Sequence, residues 1–216
     1  MEASSSHFNL NLSEQPGISQ LGQAVIQLSE LAESLANEDR TLVSHRTGRP
    51  ENVAEHSLML AVIAPAIVEW YFPQLDENLV ARYATIHDAV EAYVGDTPTH
   101  DISAQGLVDK AALEQKGLTK LLADFQHMPK FASLVQSYEA QIVPEARFVR
   151  VLDKCMPALL HLANGGTVLA SYISKADFEE KSGQQASSLR RDYPEFEQMI
   201  TLREELSQLI ADKFLG

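Results

Sequence analysis

A single cysteine, Cys155, is all the thiol chemistry in 216 residues. It allows no internal disulfide and no cysteine-built zinc knuckle, and an isolated thiol suits a reducing compartment. Basic residues are scarce as well: 17 Lys and Arg stand against 30 Asp and Glu, a formal net charge of −13. Affinity for long nucleic acid comes mostly from clustered Lys and Arg that release counterions, so this balance argues against a phosphate-backbone binder. A small anionic substrate stays open, provided a metal or a few local cations neutralise it. Long apolar runs are missing too. The longest, LMLAVIAPAIV from Leu58, is broken by Pro65 and falls short of the ~20 residues that cross a bilayer. The opening MEASSSHFNLNLSEQPG has neither a basic start nor an apolar stretch of the signal-peptide kind, so a cytoplasmic protein with no membrane partner is expected.

What is present is helical periodicity. Leu21, Val25, Leu28, Ala32 and Leu35 make one amphipathic stripe, and Val53, His56, Leu60, Ile63 and Ile67 a second. Leu79, Tyr83, Ile86, Val90 and Val94 predict a third helix capped by Asp76, and Leu107, Ala111, Leu118, Leu121, Leu122 and Phe125 a fourth. Pro129 and Pro144 mark the starts of two more, the second running through Phe148, Val149, Leu152, Met156 and Leu160, and a final helix follows Pro194. Punctuation falls between them at Thr47-Gly48-Arg49-Pro50, at Gly95 to Pro98 and at Asn164-Gly165-Gly166. No stretch alternates with period two long enough to read as a strand. The expectation is an all-α orthogonal bundle of six to nine helices over residues 18–216, preceded by a mobile Ser- and Asn-rich tail over 1–17.

Certain titratable residues fall where only apolar ones should. His56 shares its stripe with Val53, Leu60 and Ile63, a position that suits either a hydrogen-bonded core histidine or a ligand. His87, Asp88 and Glu91 cluster at i, i+1 and i+4 at the edge of the third stripe, and Asp153 lies between apolar Leu152 and Met156. Each carboxylate alone reads as a solvated helix face. Burying all of them uncompensated costs several kcal/mol, which a divalent cation offsets. Two histidines and two aspartates suit one transition metal among Mn, Fe, Co, Ni and Zn. The second His-Asp pair, His100-Asp101, follows Thr97-Pro98-Thr99 and reads as a turn or cap.

ENVAEHS (Glu51 to Ser57), HDAVEAYVGDTPT (His87 to Thr99) and FVRVLDK (Phe148 to Lys154) together resemble the HD-domain metal-dependent phosphohydrolases, and within them the branch of bacterial 5'-deoxynucleotidases. The resemblance spans roughly Arg40 to Asn164. It implies an HD-type helical bundle in which His56, His87, Asp88 and Asp153 hold one divalent metal such as Co, Mn or Zn, or Mg with a polyphosphate. It implies that Glu91 orients or deprotonates the attacking water and that Asp96 helps position it or the leaving group. Arg40 corresponds best to the family's phosphate-binding arginine, although TLVSHRTGRP is one residue longer than the nucleotidase pattern and holds Arg46 and Arg49 as competitors, of which Arg46 is taken as a further substrate-binding residue. Lys154 reads equally as a further phosphate contact or as a surface lysine.

The implied substrate is a small-molecule nucleotide. The leading reading is hydrolysis of deoxynucleoside 5'-monophosphates to nucleoside and phosphate. The alternative is a deoxynucleoside triphosphate triphosphohydrolase releasing triphosphate, and a third class is a nucleotide-binding protein that has lost catalysis. Relatives in this family are commonly homo-oligomers, and the apolar terminal helix with Phe196, Met199, Ile200, Leu206, Leu209 and Phe214 either packs on the bundle or forms an interface.

Overall fold

The structure, a computed structural model, describes residues 17–95 and 104–216. Among them the chain forms ten α-helices and one two-stranded hairpin. Helix α1 (Gln20–Asn37) starts at Ser19, whose hydroxyl accepts the Gly22 amide. It leads into β1 (Asp39–Ser44), which pairs antiparallel with β2 (Pro50–Asn52) in a shifting register, Asp39 opposite Asn52 and Ser44 opposite Pro50. The sequence carries no period-two signal for this hairpin, because β2 is too short and the irregular pairing disrupts alternation.

Helix α2 (Val53–Tyr71) opens with a reciprocal capping box. The Asn52 side-chain Oδ1 accepts the Glu55 backbone N–H at 2.9 Å, and the Glu55 carboxylate accepts the Asn52 backbone N–H at 3.2 Å. By length and composition α2 would span a bilayer, yet Val53, Leu60, Ala64 and Val68 on one face are buried in the bundle. Asp76 caps α3 (Glu77–Ile86) as expected, its Oδ1 accepting the Asn78 and Leu79 amides.

The third stripe is not one helix. After α3 the chain tightens into i→i+3 turns, with Ala89 bonding back to Ile86 and Glu91 to Asp88, before the short α4 (Glu91–Val94). There follow α5 (Ala104–Asp124), α6 (Pro129–Ala140), α7 (Pro144–Asp153), α8 (Met156–Asn164), α9 (Lys175–Asp192) and α10 (Glu197–Phe214). Pro129 and Pro144 open their helices as expected. The stripe from Phe148 to Leu160 is also divided, because Pro157 lacks an amide proton and its ring would clash with the carbonyl of Asp153 four residues back. The break leaves Asp153 as the last residue of α7.

The main core joins Leu60, Val68, Tyr83, Phe148, Val149, Leu152 and Ile200 from α2, α3, α7 and α10. A second cluster joins Leu31 of α1 to Ala89, Val90, Leu121 and Phe125. The α1 stripe is rotated from the expected one: Leu31 and Leu35 are buried, whereas Leu21, Val25 and Leu28 are exposed. The proposed tail falls almost wholly outside the described residues, as do Asp96, His100, Asp101 and the Leu107 side chain.

Candidate metal centre

His56, His87 and Asp88 bring three donor atoms within 4.8 Å of one another, and Asp153 Oδ1 lies beside both imidazoles. His56, one turn into α2, is fully buried; His87 and Asp88 stand where α3 gives way to the tight turn; Asp153 ends α7. His56 Nε2 lies 2.9 Å from Asp153 Oδ1 and 3.8 Å from Asp88 Oδ2. His87 Nε2 lies 2.9 Å from Asp88 Oδ2 and 3.8 Å from Asp153 Oδ1. Ligands about 2.1 Å from a common ion stand roughly 3.0–3.4 Å apart when adjacent, so the spacing matches one cation.

His87 makes the test of fit. Its Nδ1 is held by the Ala84 carbonyl at 2.9 Å, which leaves the Nε2 lone pair facing the cluster. That Nε2 is buried and meets no partner in hydrogen-bonding geometry, although Asp88 Oδ2 lies 2.9 Å away. A divalent cation would satisfy both.

The electrostatics favour ligation at His56, Asp153 and Asp88. Burial holds His56 below the usual imidazole range, outweighing its hydrogen bond to Asp153, and so favours the neutral ring a metal requires. Burial would lower His87 as well, but the neighbouring Asp88 and Asp153 charges outweigh it and the net direction is upward. For Asp153 the sign reverses: burial works to raise it, yet Lys154, His56 and His87 hold it well below the ordinary carboxylate range. Asp88 is likewise lowered, burial being overcome by His87.

Around this centre, Arg40 from β1 places Nη1 3.3 Å from Asp88 Oδ2 and Nε 3.3 Å from Glu51 Oε2. Lys154 Nζ contacts the other oxygen of Asp153, Oδ2, at 2.8 Å. Glu91 begins α4 one turn beyond His87, and its charge reaches Arg40. Arg46 is elsewhere: its Nε donates to the Ala163 carbonyl at the end of α8. Arg49 is bound to Glu55 by two hydrogen bonds of 3.0 and 2.7 Å, and His45 contacts the same carboxylate at 3.0 Å. His161 is buried in α8.

Glu51 was not singled out from the sequence. It is 1% exposed, and burial pushes its carboxyl up to about 7 despite the pull of Arg40. Its sole sequence signal was membership of ENVAEHS, where the capping residues Asn52 and Glu55 explain the neighbouring carboxylate more simply.

The HD domain family matches residues 32–197 of this chain. The 5'-deoxynucleotidase HDDC2 of Xenopus laevis is 30% identical over 139 residues, 63% of this chain and 67% of that protein. The Homo sapiens protein of the same name is 30% identical over 62% of this chain and 64% of its own length. The 5'-deoxynucleotidase VP0926 of Vibrio parahaemolyticus is 32% identical over 53% of this chain and 66% of its own. The match thus spans about two thirds of each relative's length. A predicted metal-dependent phosphohydrolase from Magnetospirillum magnetotacticum superposes with a TM-score of 0.65 at 26% identity, covering 88% of this chain and 93% of that one.

Proposed function

Since the chain belongs to the HD domain family, we propose that it is a metal-dependent phosphohydrolase that removes phosphate from deoxynucleoside 5'-monophosphates. The observation that carries the choice of monophosphate is the disposition of cations. Arg40 and Lys154 touch the ligand cluster, while Arg46 and Arg49 are bonded to Ala163 and Glu55. Two local cations suit one phosphate; three or more charges would call for more of them.

A divalent ion held by His56, His87, Asp88 and Asp153 would supply Lewis acidity at a phosphate oxygen and lower the pKa of a water. The chain does the rest. Arg40 presents a planar guanidinium to the phosphate, and Lys154 partly neutralises Asp153. Glu91, a non-ligand one turn from His87, receives the water's proton. Asp96, which immediately follows Gly95, positions water or leaving group. Gly95 itself has φ 76° and ψ 162°, a conformation open essentially to glycine alone, so the chain turns sharply just before Asp96.

The native metal is one of the divalent transition ions that suit imidazole and carboxylate. The enzyme works in the cytoplasm, whose reducing conditions fit one buried cysteine. Its macromolecular partner is a second copy of itself, supported by the exposed apolar residues Leu58, Val62, Trp70 and Tyr71 on α2.

One screen tests the reading. Protein loaded in turn with Co(II), Mn(II) or Zn(II) is incubated with every nucleoside mono-, di- and triphosphate, and products are identified by mass. Inorganic phosphate and deoxynucleoside from monophosphates is the expected result. Triphosphate released from a deoxynucleoside triphosphate would replace it with the triphosphohydrolase, and tight nucleotide binding without any product would identify a protein that has lost catalysis.

A further inference from the structure

The two ligating imidazoles are held in different ways. His87 has its Nδ1 fixed by a backbone carbonyl. His56 Nδ1 is buried with no hydrogen-bond partner, and the Glu51 carboxylate stands 3.7 Å from it, slightly beyond bonding distance. The same Glu51 oxygen, Oε2, lies 3.3 Å from Arg40 Nε, while Oε1 is buried and unpartnered. A carboxylate this deeply buried, with half its accepting capacity unused, is not there for the hairpin, whose strands pair through the backbone.

We propose that Glu51 is a positioning residue that acts through His56 and Arg40 together. Toward His56 it completes a carboxylate–imidazole–metal relay. A small approach of Oε2 to Nδ1 places the proton on that nitrogen, so Nε2 presents its lone pair to the cluster. Toward Arg40 it is the second of two anchors. In this structure the guanidinium rests on Glu51 by Nε and on Asp88 by Nη1. Once Asp88 donates to a cation, Glu51 alone keeps Arg40 in place, and the Nη edge is released toward the substrate phosphate. One buried carboxylate thereby ties the phosphate contact on the hairpin to the ligand on α2.

This inference rests on the metal-centre reading, and the experiment separates the two. Full-length wild type, Glu51→Gln, Arg40→Ala, the double variant and Asp153→Asn are compared for Co(II) affinity by chelator competition without substrate, for kcat and KM with deoxynucleoside monophosphates, and for thermal midpoint. Glu51→Gln should weaken Co(II) binding about 10- to 100-fold, the usual scale for a lost outer partner of a ligating histidine. It should also raise KM, and the double variant should have a KM no higher than Arg40→Ala alone, because Glu51 reaches the phosphate through Arg40. Wild-type Co(II) affinity and KM in Glu51→Gln, with Asp153→Asn impaired, overturns the proposal and leaves the metal centre standing. Unchanged Co(II) affinity in Asp153→Asn as well overturns the underlying reading. Should Glu51→Gln not fold, Glu51→Asp withdraws the carboxylate by one methylene from both partners, and wild-type values for it overturn the proposal equally.

Discussion

Asp153 divides its carboxylate between two tasks, Oδ1 turned to His56 and Oδ2 to Lys154. Replacing it with asparagine keeps the shape and one acceptor but removes the charge that suits a divalent cation. Asp153→Asn should therefore retain its helical circular dichroism while losing most of its bound metal, and elemental analysis showing full occupancy would remove Asp153 from the ligand set. Glu91→Gln should behave in the opposite way. Metal and nucleotide should still bind, and kcat should fall on the order of 10² to 10⁴, the usual scale for a general base; near-normal turnover would exclude that role. At this scale the sequence was most informative where a polar residue interrupted an apolar stripe, as at His56, His87 and Asp153. It was least informative at Glu51, whose burial arises from pairing on a hairpin that leaves no periodic trace.

Among the elements, the β1–β2 hairpin sets which arginine meets the cluster. Its base carries Arg40 and Glu51, and its tip is tied down on two sides. Arg49 and His45 grip Glu55 of α2, while Arg46 reaches the Ala163 carbonyl and the Asn164 amide reaches the Ser44 carbonyl at 2.8 Å. Spacing from the first metal histidine ranked Arg40 first of the three arginines within ten residues, but left Arg46 and Arg49 as competitors because a loop's path is not periodic. Their partners separate them. Arg46→Ala plus Arg49→Ala should change kcat/KM for a deoxynucleoside monophosphate by less than about tenfold, or about 1.4 kcal/mol, whereas Arg40→Ala should exceed that margin clearly. A large loss in the double variant would favour the triphosphate reading. The junction of α4 and α5 offers a second test. A Cβ on Gly117 would stand 2.7 Å from Val94 Cγ1 and 3.0 Å from Val90 Cγ1, so glycine is what lets α5 lie against the short helix that carries Glu91. Gly117→Val should cost roughly 1–3 kcal/mol by overpacking and lower kcat with metal still bound. Gly183→Ala on α9, where an added Cβ meets nothing within 4 Å, should instead be neutral or stabilising. Equal melting temperatures for Gly117→Val and wild type would show that α4 yields without cost.

For the molecule as a whole, the fold class was legible because long amphipathic stripes dominate the sequence. The number of helices was not, since Pro157 and the turn after Ile86 cut two stripes that periodicity alone makes continuous. Nor did periodicity reveal which apolar residues face outward. On α2, Leu58 and Val62 are 66% and 65% exposed on the outer side, and Trp70 and Tyr71 are 78% and 62% exposed at the C-terminal end. With aromatic side chains covering about 150–250 Å² each, these four leave roughly 500 Å² of apolar surface to water. A standard interface takes about 800 Å² from each partner, so these side chains would supply only part of the apolar area of a two-fold contact, with further groups completing it. Each chain carries a formal charge of −13, and two such chains repel at low ionic strength. Dimerisation should accordingly strengthen as salt is raised toward 0.15 M and beyond, where the Debye length falls to about 8 Å and less. Sedimentation of the wild type at micromolar concentration should give a dimer, and Leu58→Glu plus Val62→Glu should give a monomer that still binds metal, because both side chains are exposed on α2 whereas His56 is fully buried on another face of the helix. A wild type that stays monomeric at every salt concentration would assign these exposed side chains to some other contact.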